Sequence, residues 1–167
     1  MLKFSGVVRI AALALVATPS VAPAQAAAQQ QTIENDLSKC NGSAGSSVLV
    51  EVAGFEAATG MIRVQSYPAT RSAWLAKGAW ISRINVPVRP ESGKMRFCLP
   101  VPAPGRYGIA VRHDLNGNGK TDLSQDGGGF SNNPSISIFN LGKPPVDKAA
   151  INVGNGVTAI TIKLRYM

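Results

Sequence analysis

Residues 104–122 read Pro104-Gly105-Arg106-Tyr107-Gly108-Ile109-Ala110-Val111-Arg112-His113-Asp114-Leu115-Asn116-Gly117-Asn118-Gly119-Lys120-Thr121-Asp122. The first half alternates. Tyr107, Ile109 and Val111 fall on one parity, and Gly108, Ala110 and Arg112 on the other. A period of two with one apolar side predicts a half-buried strand. The second half is Asn-Gly, Asn-Gly and Asp, which stops a strand and turns the chain.

The same alternation recurs on both sides of this stretch. Val48, Val50 and Val52 alternate with Leu49, Glu51 and Ala53; Ile62, Val64 and Ser66 with Arg63, Gln65 and Tyr67; Ile84, Val86 and Val88 with Asn85, Pro87 and Arg89. Met95, Phe97 and Leu99 alternate with Arg96 and Cys98, and Ile160, Ile162, Leu164 and Tyr166 with Thr161, Lys163 and Arg165. Weaker runs lie at 136–139 and 150–153. Seven or eight short strands with frequent Gly, Pro and Asn turns predict an all-β fold, an antiparallel Ig-like sandwich over residues 48–167. Only residues 71–80 (RSAWLAKGAW) break the pattern, as a long connection with a helical turn or two before Gly78.

The N-terminal segment reads as an export signal. Lys3 and Arg9 form a basic start, residues 10–16 (IAALALV) an apolar run too short to span a bilayer, and Ala24-Gln25-Ala26 a small-x-small cleavage pattern. Residues 1–26 are thus expected to be a cleaved signal peptide, with Ala22-Pro23-Ala24 a second candidate cleavage pattern, and residues 27–47 a polar leader. The expected location is periplasmic or extracellular, with no transmembrane segment in the mature chain. Cys40 does not fit a lipidation site, because Lys39 precedes it and the apolar run is far upstream.

An even pair of cysteines in an exported chain predicts a disulfide between Cys40 and Cys98; two buried free thiols are the alternative. Cys98 shares the polar parity of its strand with Arg96, so the bridge would clamp the leader across an outer sheet face. The net charge of +8 falls to +6 once Lys3 and Arg9 are removed. The basic residues are dispersed and lack interleaved aromatics, which argues against a nucleic-acid binder and describes a solvated basic surface, with weak attraction to anionic lipid headgroups or cell-wall polymers as the alternative.

The 113–128 stretch carries the only definite chemistry. Asp114, Asn116, Asn118, Gly119 and Asp122 follow D-x-N-x-N-G-x-x-D, which places hard oxygens at alternate positions before a sharp glycine turn, as calcium requires. Asp114, Asn116 and Asn118 would give side-chain oxygens, Lys120 its carbonyl, and Asp122 a direct or water-mediated ligand. Asp126 would close the shell. Gln125 stands where an EF-hand has its bidentate Glu, and the flanks are not helices, so the loop is not an EF-hand. A connection merely rich in turns is the competing reading. Zinc is disfavoured because His113 is the only histidine.

Nothing in the sequence points to an enzyme. His113 would face away from Asp114 if the strand continues, no G-x-S-x-G elbow occurs, and the other carboxylates are scattered. Trp74 and Trp80 are read mainly as packing residues, and secondarily as a carbohydrate platform beside His113, Asn132 and Asn133.

The run from Pro104 to Asp122, with Gly129-Phe130-Ser131-Asn132-Asn133, resembles the bacterial family called domain of unknown function 2141. The likeness extends over residues 48–166. It departs at Ser124-Gln125-Asp126-Gly127-Gly128-Gly129, where the family pattern has a Pro and an acidic residue. It implies an exported protein without an assigned activity, and a fold similar to transthyretin-like and carboxypeptidase-regulatory-like sandwiches. The leading expectation is a small binding or accessory module with a calcium-stabilised loop, its partner an envelope protein or a carbohydrate. The rivals are a hydrolase-like enzyme using His113 and Asp114, and a purely structural envelope protein.

Overall fold

A computed structural model of the chain describes residues 31–136 and 142–167. The segment read above as a signal peptide, the first residues after it and most of the weak run at 136–139 lie outside the described residues. Alternation in the sequence becomes two facing sheets. Val48, Val50 and Val52 of β2 (Ser47–Ala53) are fully buried, and so are Phe97 and Leu99 of β5 (Lys94–Pro100) and Ile162 of β9 (Val157–Lys163). These three strands form the smaller sheet in the order β5-β2-β9.

The larger sheet has the order β1-β4-β3-β6-β7, with β8 also paired to β6. Its strands are β1 (Gln31–Thr32), β3 (Met61–Pro68), β4 (Ser82–Pro87), β6 (Gly105–Asp114), β7 (Gly127–Phe130) and β8 (Ala150–Val153). Ile62, Val64, Ile84, Ile109 and Val111 face the smaller sheet and complete the core between the layers. A second, smaller cluster lies on the opposite face, where the 69–81 connection lays Trp74, Leu75 and Trp80 over Tyr67, Ala110 and Phe130. Gly108 makes that contact close, because a Cβ there would stand 2.3 Å from the Trp74 ring.

Both sheets are mixed rather than antiparallel throughout. β2 pairs antiparallel with β5 but parallel with β9, and β1 pairs parallel with β4. Alternation reports that one face is buried; it carries no information on strand direction. Direction is set by the connection after β8, which carries the chain from the larger sheet to the smaller one.

Strand β7 has the sequence GGGF and no alternation to read. Its glycines serve close approach. A Cβ on Gly129 would lie 2.6 Å from Ile162 Cγ2 and 3.0 Å from the Lys163 carbonyl oxygen. Next to it, Gly128 exchanges backbone hydrogen bonds of 2.8 and 2.9 Å with Arg165, joining the end of the chain to the larger sheet. Ser131 is fully buried where the edge of β6 passes from β7 to β8. Its hydroxyl accepts from Ile109 N at 2.9 Å and donates to the Ala149 carbonyl.

Cys40 and Cys98 form the expected disulfide. Cys98 lies opposite Leu49 on the outer face of the smaller sheet, and a short 3-10 turn, Leu37–Cys40, carries the leader onto β2 and β5. Asn35 adds two further ties to β5, accepting from Cys98 N at 3.2 Å and donating to the Arg96 carbonyl at 2.8 Å. No helix among the described residues is long and apolar enough to cross a membrane.

Candidate functional site

Strand β6 delivers His113 and Asp114 to opposite faces, as adjacent strand residues must be. His113 is fully buried between the layers. Its Nε2 lies 2.7 Å from the Thr59 carbonyl, which can only accept, so Nε2 carries the proton. In the neutral ring Nδ1 then accepts from the Tyr166 hydroxyl at 2.6 Å, and that hydroxyl accepts from Glu56 N at 3.3 Å. Phe55 and Tyr166 close around the ring edge-on at 5.6 and 5.9 Å. The imidazole ties three chain segments together and offers no face to a substrate.

Asp114 roots the 115–126 loop. It is only 2% exposed. Its Oδ2 accepts from Gly119 N at 2.8 Å and from Arg112 Nη2 at 3.1 Å. Its Oδ1 is buried without a hydrogen-bond partner. A buried carboxylate oxygen left unpaired costs on the order of 1–3 kcal/mol or more, so this atom is unfinished business for the fold.

The loop beyond is a ladder of Asx turns. Asn116 Oδ1 accepts from Asn118 N at 3.0 Å, and Asn118 Oδ1 accepts from Lys120 N at 2.7 Å. Both amide nitrogens donate to Asp122 Oδ2, at 3.0 and 2.7 Å. These two donors hold the Asp122 carboxyl below its usual pKa. Asp126 is buried and spends both oxygens on the backbone, accepting from Leu115 N at 3.2 Å and Asp122 N at 3.0 Å. It braces the loop across its base. Lys120 is exposed.

The loop therefore brings Asp114, Asn116, Asn118 and Asp122 into one hydrogen-bonded unit, with Asp126 beneath. Among the described residues no group of three or more His, Cys, Asp or Glu side chains gathers to hold a metal ion. Oxygens available to a cation are the free Asp114 Oδ1, the Asp122 carboxylate, and the second lone pairs of the two Asn oxygens. Hard oxygens of this kind suit calcium. One cation is already present: Arg112 reaches into the loop from β6, donating to Thr121 Oγ1 at 2.9 Å and the Gly119 carbonyl at 3.1 Å besides Asp114. Sequence reading assigned Arg112 only to a polar parity, although its place two residues before Asp114 on the same strand face was the available signal.

Beside the loop lies a groove of about 490 Å³ on the outer face of the larger sheet. Ala110, Gly128 and Phe130 floor it, Leu75 stands on one side, and the loop supplies Thr121 and Leu123 to the other. Gly128 has open space where a side chain would project.

The aromatic and amide residues first considered as a ligand surface are engaged within the fold. Trp74 Nε1 donates to the Pro144 carbonyl at 2.8 Å, and its ring packs against Tyr67 and Phe130. Trp80 carries the Arg83 guanidinium 3.5 Å over its ring. Asn132 and Asn133 take left-handed backbone angles, φ 62° and 48°, which Asn tolerates. Asn132 Nδ2 donates to the Ala150 carbonyl, and Asn133 bridges the Thr161 carbonyl and Lys163 N, pinning the turn after β7 to β8 and β9.

A protein-family model described as an uncharacterized protein conserved in bacteria (DUF2141) matches residues 50–161, more than half of the chain. No curated protein and no solved structure matches it.

Proposed function

The chain belongs to the DUF2141 family of uncharacterized bacterial proteins, and on that premise we propose that it is an exported binding or accessory module whose 115–126 loop is ordered by calcium. The buried, partnerless Oδ1 of Asp114 carries this reading. A divalent cation there would satisfy that oxygen and share the lone pairs of Asn116 and Asn118, with the Lys120 carbonyl and Asp122 completing an oxygen shell. With few carboxylates and Arg112 close by, affinity belongs at the weak extracellular end, about 10⁻⁴–10⁻³ M.

The ion would work structurally. It would fix the loop that walls one side of the outer-face groove, and so fix the surface offered to an envelope partner or a carbohydrate. The disulfide supports an oxidising location. An enzyme built on His113 finds no support, since both ring nitrogens are engaged in a sealed interior.

The test is a calcium titration followed by amide NMR. The expected result is saturable shifts concentrated at residues 114–126 in the wild type, absent in Asp114→Asn. Shifts scattered over the surface, or identical in the variant, would reject the site.

A further inference from the structure

The exposed part of the larger sheet's outer face carries three arginines. Arg63 of β3 stands directly opposite Arg112 of β6, and Arg83 of β4 stands opposite Gln65, the next outward residue of β3. Like charges directly opposite on antiparallel strands destabilise the pairing. All three side chains are half-buried, which sharpens the repulsion. Burial lowers the pKa of Arg63, and the charges of Arg112 and Arg83 lower it further, against the pull of Asp114. Burial acts on Arg83 in the same direction, as does Arg112.

The compensation inside the fold is incomplete. Among the described residues the only ion pair in this cluster is Arg112 with Asp114. Arg63 has one 3.4 Å hydrogen bond from Nε to Asn85 Oδ1. Arg83 lies over Trp80, and with the Gln65 amide turned so that its oxygen faces the guanidinium, Arg83 donates to that oxygen, which then also takes the Tyr67 hydroxyl. Those contacts hold the Arg83 guanidinium in place and leave both arginines with free N–H donors. Arg112 Nε is buried without a partner. Positioned guanidinium forks are what recognition of a tetrahedral oxyanion uses.

We propose that this face binds a phosphate group, with Arg63 and Arg83 as the recognising pair and Arg112, anchored by Asp114, as the supporting charge. The recognising pair needs no metal, and only the supporting Arg112, through Asp114, borders the calcium loop. Its phosphate could be free or carried on a lipid headgroup, and the two sources separate experimentally.

The experiment is done in EDTA, so that calcium plays no part. Thermal unfolding is followed in chloride and in inorganic phosphate at matched ionic strength, for the wild type, an Arg63→Gln/Arg83→Gln double variant, Arg63→Lys, and Lys94→Gln as a control that removes a cation from the other sheet. In parallel each protein is sedimented with phosphatidylglycerol or phosphatidylcholine vesicles. The wild type and Lys94→Gln should gain a few degrees in phosphate. The double variant should start at a higher unfolding temperature in chloride, with the repulsion relieved, and gain nothing. Arg63→Lys, which keeps the charge and loses the fork, should show a weakened gain. Binding to phosphatidylglycerol vesicles alone, lost in the double variant, would assign the headgroup as the source. No response to phosphate or to vesicles, or an equal response in the double variant, would overturn the proposal.

Discussion

Gly119 N lies 2.8 Å from Oδ2 of Asp114, five residues back, while Oδ1 of the same carboxylate is buried with no partner. One residue thus closes the loop with one oxygen and leaves the other unused. Removing the side chain in Asp114→Ala should cost about 1–3 kcal/mol in EDTA, because Gly119 N and Arg112 both lose an acceptor. The cost should grow in calcium, where the wild type alone is stabilised. Urea denaturation in the two buffers measures the difference.

Arg112 shares the Asp114 carboxylate with any bound ion. Arg112→Gln should therefore tighten calcium binding several-fold while destabilising the loop in EDTA. Calorimetric titration of the variant against the wild type checks both signs.

The acid limb of stability has a sign that follows from Asp122. Its folded pKa is depressed by the two Asn donors, below the unfolded value near 3.8. The stabilisation it gives is present above the unfolded pKa and is lost as pH falls through the folded one. Order in the loop should then decline below about pH 4, and Asp122→Asn should flatten that decline. Amide hydrogen exchange of residues 116–122 across pH reads the effect.

Adjacent glycines in β7 should respond in opposite ways. Gly129→Ala drives a methyl into Ile162 and the Lys163 carbonyl, and overpacking of that kind costs about 1–3 kcal/mol. Gly128→Ala meets nothing within 4 Å and should be nearly neutral in stability. Chemical denaturation of the pair distinguishes them.

Much of the fold was legible because half-burial writes a period of two into the chain. Val48-Val50-Val52 and Tyr107-Ile109-Val111 are strands where alternation placed them, and Cys98 sits on the outward parity that clamps the leader. Strand β7 was illegible because three glycines have no side chains to alternate; the reason for them, the approach of Ile162, is long-range. The parallel β2–β9 pairing was hidden for a related reason, since direction depends on the path between sheets. In the loop, the oxygens at 114, 116, 118 and 122 could be named from spacing. That Asp126 would brace the backbone, and that Arg112 would reach into the loop, depended on β6 and β7 lying side by side. The arginine cluster was equally hidden: Arg63, Arg83 and Arg112 looked dispersed in sequence and meet only through the β4-β3-β6 register.

Thermal unfolding of the oxidised chain from residue 27 onward in EDTA, millimolar calcium and millimolar magnesium, beside Asp114→Asn, tests the loop most directly. At about ten times the dissociation constant, linkage gives about 1.4 kcal/mol, a rise of a few degrees. The expected result is a rise in calcium that exceeds any in magnesium, abolished in Asp114→Asn. Identical unfolding of the wild type in calcium and in EDTA would contradict a calcium-ordered loop, leaving Arg112 as the cation that holds Asp114.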